Sequence, residues 1–67
     1  MDAARLKKAL ADRNITVEAI SVAIGIDPST YYRKMNSDGE TFTLRQAKKI
    51  VSELKLSSEE ASEIFFG

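Results

Sequence analysis

No cysteine and no histidine occur in these 67 residues, and there are only three glycines and one proline. Lack of cysteine excludes a disulfide framework and thiolate metal sites, and is compatible with a reducing cytosol. Without histidine or cysteine, the usual nucleophile–base pairs and most transition-metal ligand sets lack their parts. The glycines stand apart, so there is no glycine-rich phosphate loop. No stretch approaches the roughly 18 consecutive apolar residues of a membrane span, and no secretory signal is visible. Internal repeats and low-complexity tracts are missing too. These absences argue against an enzyme, a bound cofactor or metal, a small-molecule ligand and a membrane partner. Glu59, Glu60 and Glu63 are the one acidic cluster, and their place at the start of a helix makes dipole stabilisation the simplest account of them.

What is present fits a single small domain spanning residues 1–67, with no room for a separate effector domain. A chain this size buries only about 60% of its unfolded surface, so it needs well-capped helices or a partner. Ten basic and ten acidic residues cancel, whereas many nucleic-acid binders are basic. The distribution says more than the sum. Residues 1–52 hold nine Lys/Arg against six Asp/Glu, while residues 53–67 hold Lys55 against four glutamates. A positive body with an acidic C-terminal portion permits one face to meet phosphate, and an ordinary neutral domain can show the same.

Helical periodicity recurs along the chain. A first helix from about Asp2 to Arg13 carries Leu6 and Leu10 inward, with Ala3 extending the stripe and Ala9 at its edge. Asn14 suits a left-handed stop. Lys7, Lys8 and Arg13 read as a solvated helix surface, with a DNA-facing role as the alternative. Thr16 caps a second helix whose apolar stripe is Val17, Ile20, Ala23 and Ile24, and Gly25 ends it. Asp27-Pro28 opens a third helix over 28–35, with Ile15/Ile20 and Ile26/Tyr31 placed as hydrophobic staples. At roughly 100° per residue, Tyr31 and Met35 share one side of it, and Ser29, Tyr32, Arg33 and Asn36 point the opposite way. Ser37-Asp38-Gly39-Glu40 reads as a polar, mobile turn.

Thr43 and Gln46 form a capping box for a fourth helix, with Phe42 as its staple and Leu44, Ala47, Ile50, Val51 and Leu54 as its stripe. Its start, with Arg45 beside the free amides, is either a phosphate site or a well-capped structural helix. Ser57 and Glu60 make a second capping box for a short fifth helix with Ala61, Ile64 and Phe65 inward. Phe66 is expected to close onto the core, with insertion into a second copy as the alternative. The fold class is therefore all-α, a compact bundle of five short helices.

The stretch TVEAISVAIGIDPSTYYRKMN, with Gly25-Ile26 at the turn and STYYRKMN in the second helix, resembles the helix-turn-helix of Cro/CI-type (XRE) phage repressors. The segment TFTLRQAKKIVSELKLSSEEASEIFF resembles the helices that follow it, so the likeness covers nearly the whole chain. The resemblance implies a lambda-repressor-like fold and a transcriptional regulator in the cytoplasm of a bacterial host. It also implies binding to double-stranded operator DNA, usually as a homodimer. On that basis Ser29, Thr30, Tyr32 and Arg33 correspond to base-contacting positions, and Thr16 and Asn36 to phosphate-contacting ones, with Thr43 and Arg45 added from the capped fourth helix. The chain departs from the family at Val17, Ser21, Pro28 and Lys34, and the first and third of these remove contacts common there. A protein-binding module that keeps the same helical shape is the competing reading.

Overall fold

A computed structural model describes residues 1–36 and 42–66. The expected polar turn Ser37–Glu40 lies outside the described residues. Among them are five α-helices and no strand: α1 (Ala3–Asp12), α2 (Val17–Ile24), α3 (Pro28–Asn36), α4 (Leu44–Leu54) and α5 (Ser58–Phe65). None is long and apolar enough to cross a membrane.

Each helix begins as its sequence dictates. Asp2 accepts from the Arg5 N–H, and Thr16 Oγ1 accepts from the Ala19 N–H at 3.1 Å. The Asp27 carbonyl accepts the first hydrogen bond of α3 from Tyr31. Two reciprocal capping boxes, Thr43 with Gln46 and Ser57 with Glu60, open α4 and α5.

The helix ends share one device. Asn14, Gly25 and Lys55 each adopt left-handed backbone, with φ of 55°, 78° and 54°. In each case the next amide reaches back five residues: Ile15 to Leu10, Ile26 to Ser21 and Leu56 to Val51. This is a Schellman ending, whose following apolar residue folds back onto the core. Three connectors, Asn14-Ile15-Thr16, Gly25-Ile26-Asp27 and Lys55-Leu56-Ser57, thus repeat one plan: a left-handed residue, an apolar anchor, then the residue preceding the next helix. Leu56 is buried, and Ile15 and Ile26 pack partly buried against the same core.

The core gathers residues from every helix: Leu6, Ala9 and Leu10 of α1, Ile20 and Ile24 of α2, Tyr31 of α3, Ile50 and Leu54 of α4, and Ile64 of α5, with Phe42 and Leu56 between helices. The helix α2 packs on both α3 and α4, while α1 packs on α5. Two expectations fail. Leu44 is 69% exposed, because it lies on the Ala47–Val51 edge of α4, over the groove toward α5, and not above Ile50 and Leu54. Phe66 does not close the core. It follows α5 with 84% of its surface exposed, since Ile64 and Phe65 already fill the inner face.

Arg13 is the largest departure from the sequence reading. Its guanidinium donates through Nε to the Leu54 carbonyl at 2.7 Å, through Nη1 to the Ala9 carbonyl at 3.1 Å, and through Nη2 to Glu60 at 3.4 Å. It is neither a solvated surface cation nor one turned toward a partner. It ties the ends of α1 and α4 to the first turn of α5.

Candidate functional site

The helix α3 has one side on the core and the other in solvent. Tyr31 is 2% exposed and anchors it, meeting Phe42 with ring centroids 5.5 Å apart and Tyr32 edge-on at 6.1 Å. Met35 packs partly buried on the same core. The Tyr31 hydroxyl is enclosed without a hydrogen-bond partner among the described residues. Burial, and secondarily the neighbouring Tyr32, push its pKa up to about 12.

The opposite side of α3 faces outward. Ser29, Tyr32, Arg33 and Asn36 are exposed and Thr30 is half-buried. Tyr32 retains about half its surface, 51%, yet its ring edge rests on Tyr31, so an exposed aromatic is held in a defined position. Proline at the first helical position carries no N–H, so no donor is left unmet there.

The turn before α3 sets its exit direction. Gly25 (φ 78°) has nothing near a would-be Cβ, so backbone conformation and not space is what calls for glycine there. Ser21 is fully buried on α2, and its small side chain permits close helix approach. Its hydroxyl has no partner, which makes α2 a helix held by apolar contact.

The remaining candidate residues fall on two flanks. Thr16 is exposed at the start of α2 with its oxygen already accepting from Ala19, which leaves the hydroxyl proton free to donate outward. Thr43 does the same on α4, accepting from Gln46 at 3.1 Å. Thr43 and Arg45 line a groove of about 550 Å³ with Lys49 and the end of α2 around Gly25. Asn36, Tyr32 and Val17 line a different groove, toward α1. Two separate surfaces therefore flank the α2–α3 pair. Lys7 and Lys49 face these grooves; the sequence offered Lys7 a DNA-facing role only as the alternative to a solvated surface, and Lys49 none. No motif marks either one, because what singles them out is tertiary placement.

The other side of the molecule is electrostatically closed. Arg5 pairs with Asp2 at 3.2 Å and Glu63 at 2.9 Å, and Lys8 pairs with Asp12 at 2.9 Å. The Ser57 N–H, with Arg13 adding to it, holds the Glu60 carboxyl below the usual carboxylate range. Among the described residues no group of three or more acidic side chains is placed to hold a metal ion. No protein-family pattern, characterised protein or solved structure matches the chain.

Proposed function

We propose that this protein is a sequence-specific double-stranded DNA-binding transcriptional regulator, in the manner of a small Cro/CI-like phage repressor. The carrying observation is the polarity of α3: Tyr31 locks one side inside, and Ser29, Tyr32 and Arg33 stand outward on the other. In this reading α2, Gly25 and α3 act as a helix-turn-helix, and α3 enters the major groove. Arg33 makes a bidentate contact to guanine and Ser29 reads loosely. Tyr32 meets a thymine methyl or a phosphate, with Thr30 at the margin. Thr16 and Asn36 hold phosphates on one flank and Thr43 and Arg45 on the other. The protein works without catalysis or cofactor, by occupying operator DNA in a bacterial cytoplasm.

A homodimer on a two-fold operator belongs to the same reading. Leu44 and Phe66, exposed beside the groove between α4 and α5 that Val51 and Phe65 line, supply the apolar surface such a dimer would bury. That same surface favours the second reading, a protein-binding module, if the chain ignores DNA altogether.

Selection of bound duplexes from a random pool tests binding, preference and half-site symmetry together. Arg33→Ala is expected to relax preference at one base position by about 1–3 kcal/mol, and Asn36→Ala to weaken all duplexes alike. Absence of binding to any duplex at low salt would leave only the protein-partner reading.

A further inference from the structure

Four cationic side chains lie on α1 and the residue that follows it, and three are committed within the fold. Arg5 is held by Asp2 and Glu63, Lys8 by Asp12, and Arg13 by two backbone carbonyls and Glu60. Lys7 is exposed and, among the described residues, has neither an ion pair nor a hydrogen bond. It lines the groove of about 440 Å³ between α1 and α3, together with Val17, Tyr32 and Asn36. Among the described residues no carboxylate lines that groove.

We infer that Lys7 and Asn36 together form a seat for one DNA backbone phosphate, on the α1 flank of the surface presented by α3. The inference rests on the DNA-binding reading above and extends it to a helix outside the α2–α3 pair. A phosphodiester carries one negative charge shared by two non-bridging oxygens. The ammonium of Lys7 supplies the charge and the amide of Asn36 a directed donor. Val17 adds the first amide of α2, which the Thr16 cap leaves unused because it takes the Ala19 N–H. Tyr32, resting on Tyr31, bounds the seat toward the bases. Lys8, one residue along, is turned to Asp12 and contributes nothing here.

The test is a salt titration of duplex affinity for the wild type, Lys7→Ala, Lys8→Ala, Asn36→Ala and the Lys7/Asn36 double variant. Alanine at exposed positions inside α1 and at the last residue of α3 keeps the fold, which circular dichroism verifies. Lys7→Ala is expected to weaken a selected and a mixed-sequence duplex by the same factor. It should also lower the slope of log K against log salt by about 0.9, the value for one lost phosphate contact. Lys8→Ala should leave the slope at the wild-type value. The double variant should lose less than the product of the single losses, because both groups serve one phosphate. An unchanged slope for Lys7→Ala, or an equal loss with Lys8→Ala, overturns the seat while leaving the DNA-binding reading intact. A wild type that binds no duplex overturns both, and so does one that binds an acidic polypeptide instead.

Discussion

The two sides of this small protein use polar groups in opposite ways. Where α1 meets the end of α4 and the start of α5, cations and acids are consumed internally: Arg5, Lys8 and Arg13 against Asp2, Asp12, Glu60 and Glu63. Where α2 and α3 meet the core, seating is apolar, and two buried hydroxyls, Ser21 Oγ and Tyr31 Oη, have no partner among the described residues. These ion pairs take up three of the ten cations and four of the ten acids, so they shift the balance of the remaining charges by only one. The outward side of α3 carries Ser29, Tyr32, Arg33 and Asn36, all of them exposed.

The sharpest way to separate the two sides is pH. Burial holds the Tyr31 phenol neutral up to about 12, while in the unfolded chain it ionises near 10. The neutral form is thus favoured by folding. Its contribution is complete below pH 10 and disappears as pH rises from 10 to 12, on the order of 3 kcal/mol in all. Chemical denaturation across that window should show stability collapsing, with the α3 side opening first by hydrogen exchange. Tyr31→Phe should remove most of the alkaline loss and leave stability at neutral pH unchanged or better, since it deletes an unpartnered hydroxyl. A variant that still fails steeply above pH 10 would mean that ionisation of Tyr31 is not what drives the alkaline loss. Acid acts on the opposite side. The depressed Glu60 carboxyl contributes above the usual carboxylate range and stops contributing as pH falls through its lowered value.

Arg13→Ala is expected to be next in size, costing about 2 kcal/mol, because a guanidinium bonded to the carbonyls of Leu54 and Ala9 is lost from a partly buried corner. Under the proposed DNA-binding function, the comparison between sides requires that the folded variant keep the wild-type duplex affinity and preference. If Arg13→Ala weakened DNA binding in molecules shown to be folded, the α1–α5 side could not be treated as purely structural. Glu60→Gln should cost less, because it removes one exposed pair and leaves both carbonyl contacts in place.

The sequence makes the helices legible because their punctuation is local. Thr16, Thr43-Gln46 and Ser57-Glu60 announce starts, and Asn14 and Gly25 announce left-handed stops, all through bonds spanning a few residues. The outward face of α3 was legible for the same reason: once Tyr31 is placed inside, helical geometry assigns Ser29, Tyr32 and Arg33. Arg13 was not legible, since its partners at Leu54 and Glu60 lie more than forty residues away, and nothing local distinguishes it from Lys7 or Lys8. Leu44 and Phe66 misled because an apolar side chain at helical spacing predicts burial, whereas whether another helix covers it is decided by packing. Lys55 gave no signal at all, being neither glycine nor asparagine.

Ser21→Ala probes the apolar side from within. The Ser21 hydroxyl is fully enclosed and unpartnered, so deleting it should raise stability by about 1 kcal/mol, provided the smaller side chain leaves no cavity of consequence. A loss of stability would show that the hydroxyl is satisfied in solution, and the contrast in polar satisfaction between the two sides would narrow to Tyr31 alone.

The smallest effect is expected at Lys55, where the repeated connector can be tested against itself. Asn14 and Gly25 occupy the left-handed position with residues suited to it, and Lys55 holds the same backbone at φ 54° with a side chain that disfavours it. Relief of that cost is partly offset by the greater freedom glycine has when unfolded, so Lys55→Gly should gain roughly 0.5 kcal/mol. Substitution at Gly25 is the mirror experiment. Gly25→Ala meets no atom, yet must adopt φ 78°, so it should lose about 1 kcal/mol through backbone conformation alone. The two changes differ in one further readout. Under the proposed DNA-binding function, Lys55→Gly, at the junction of α4 and α5, should leave duplex affinity alone, whereas Gly25→Ala bears on the angle at which α3 leaves α2. A Gly25→Ala protein that stays folded but loses sequence preference would place the demand for glycine in the presentation of α3, beyond its share in stability.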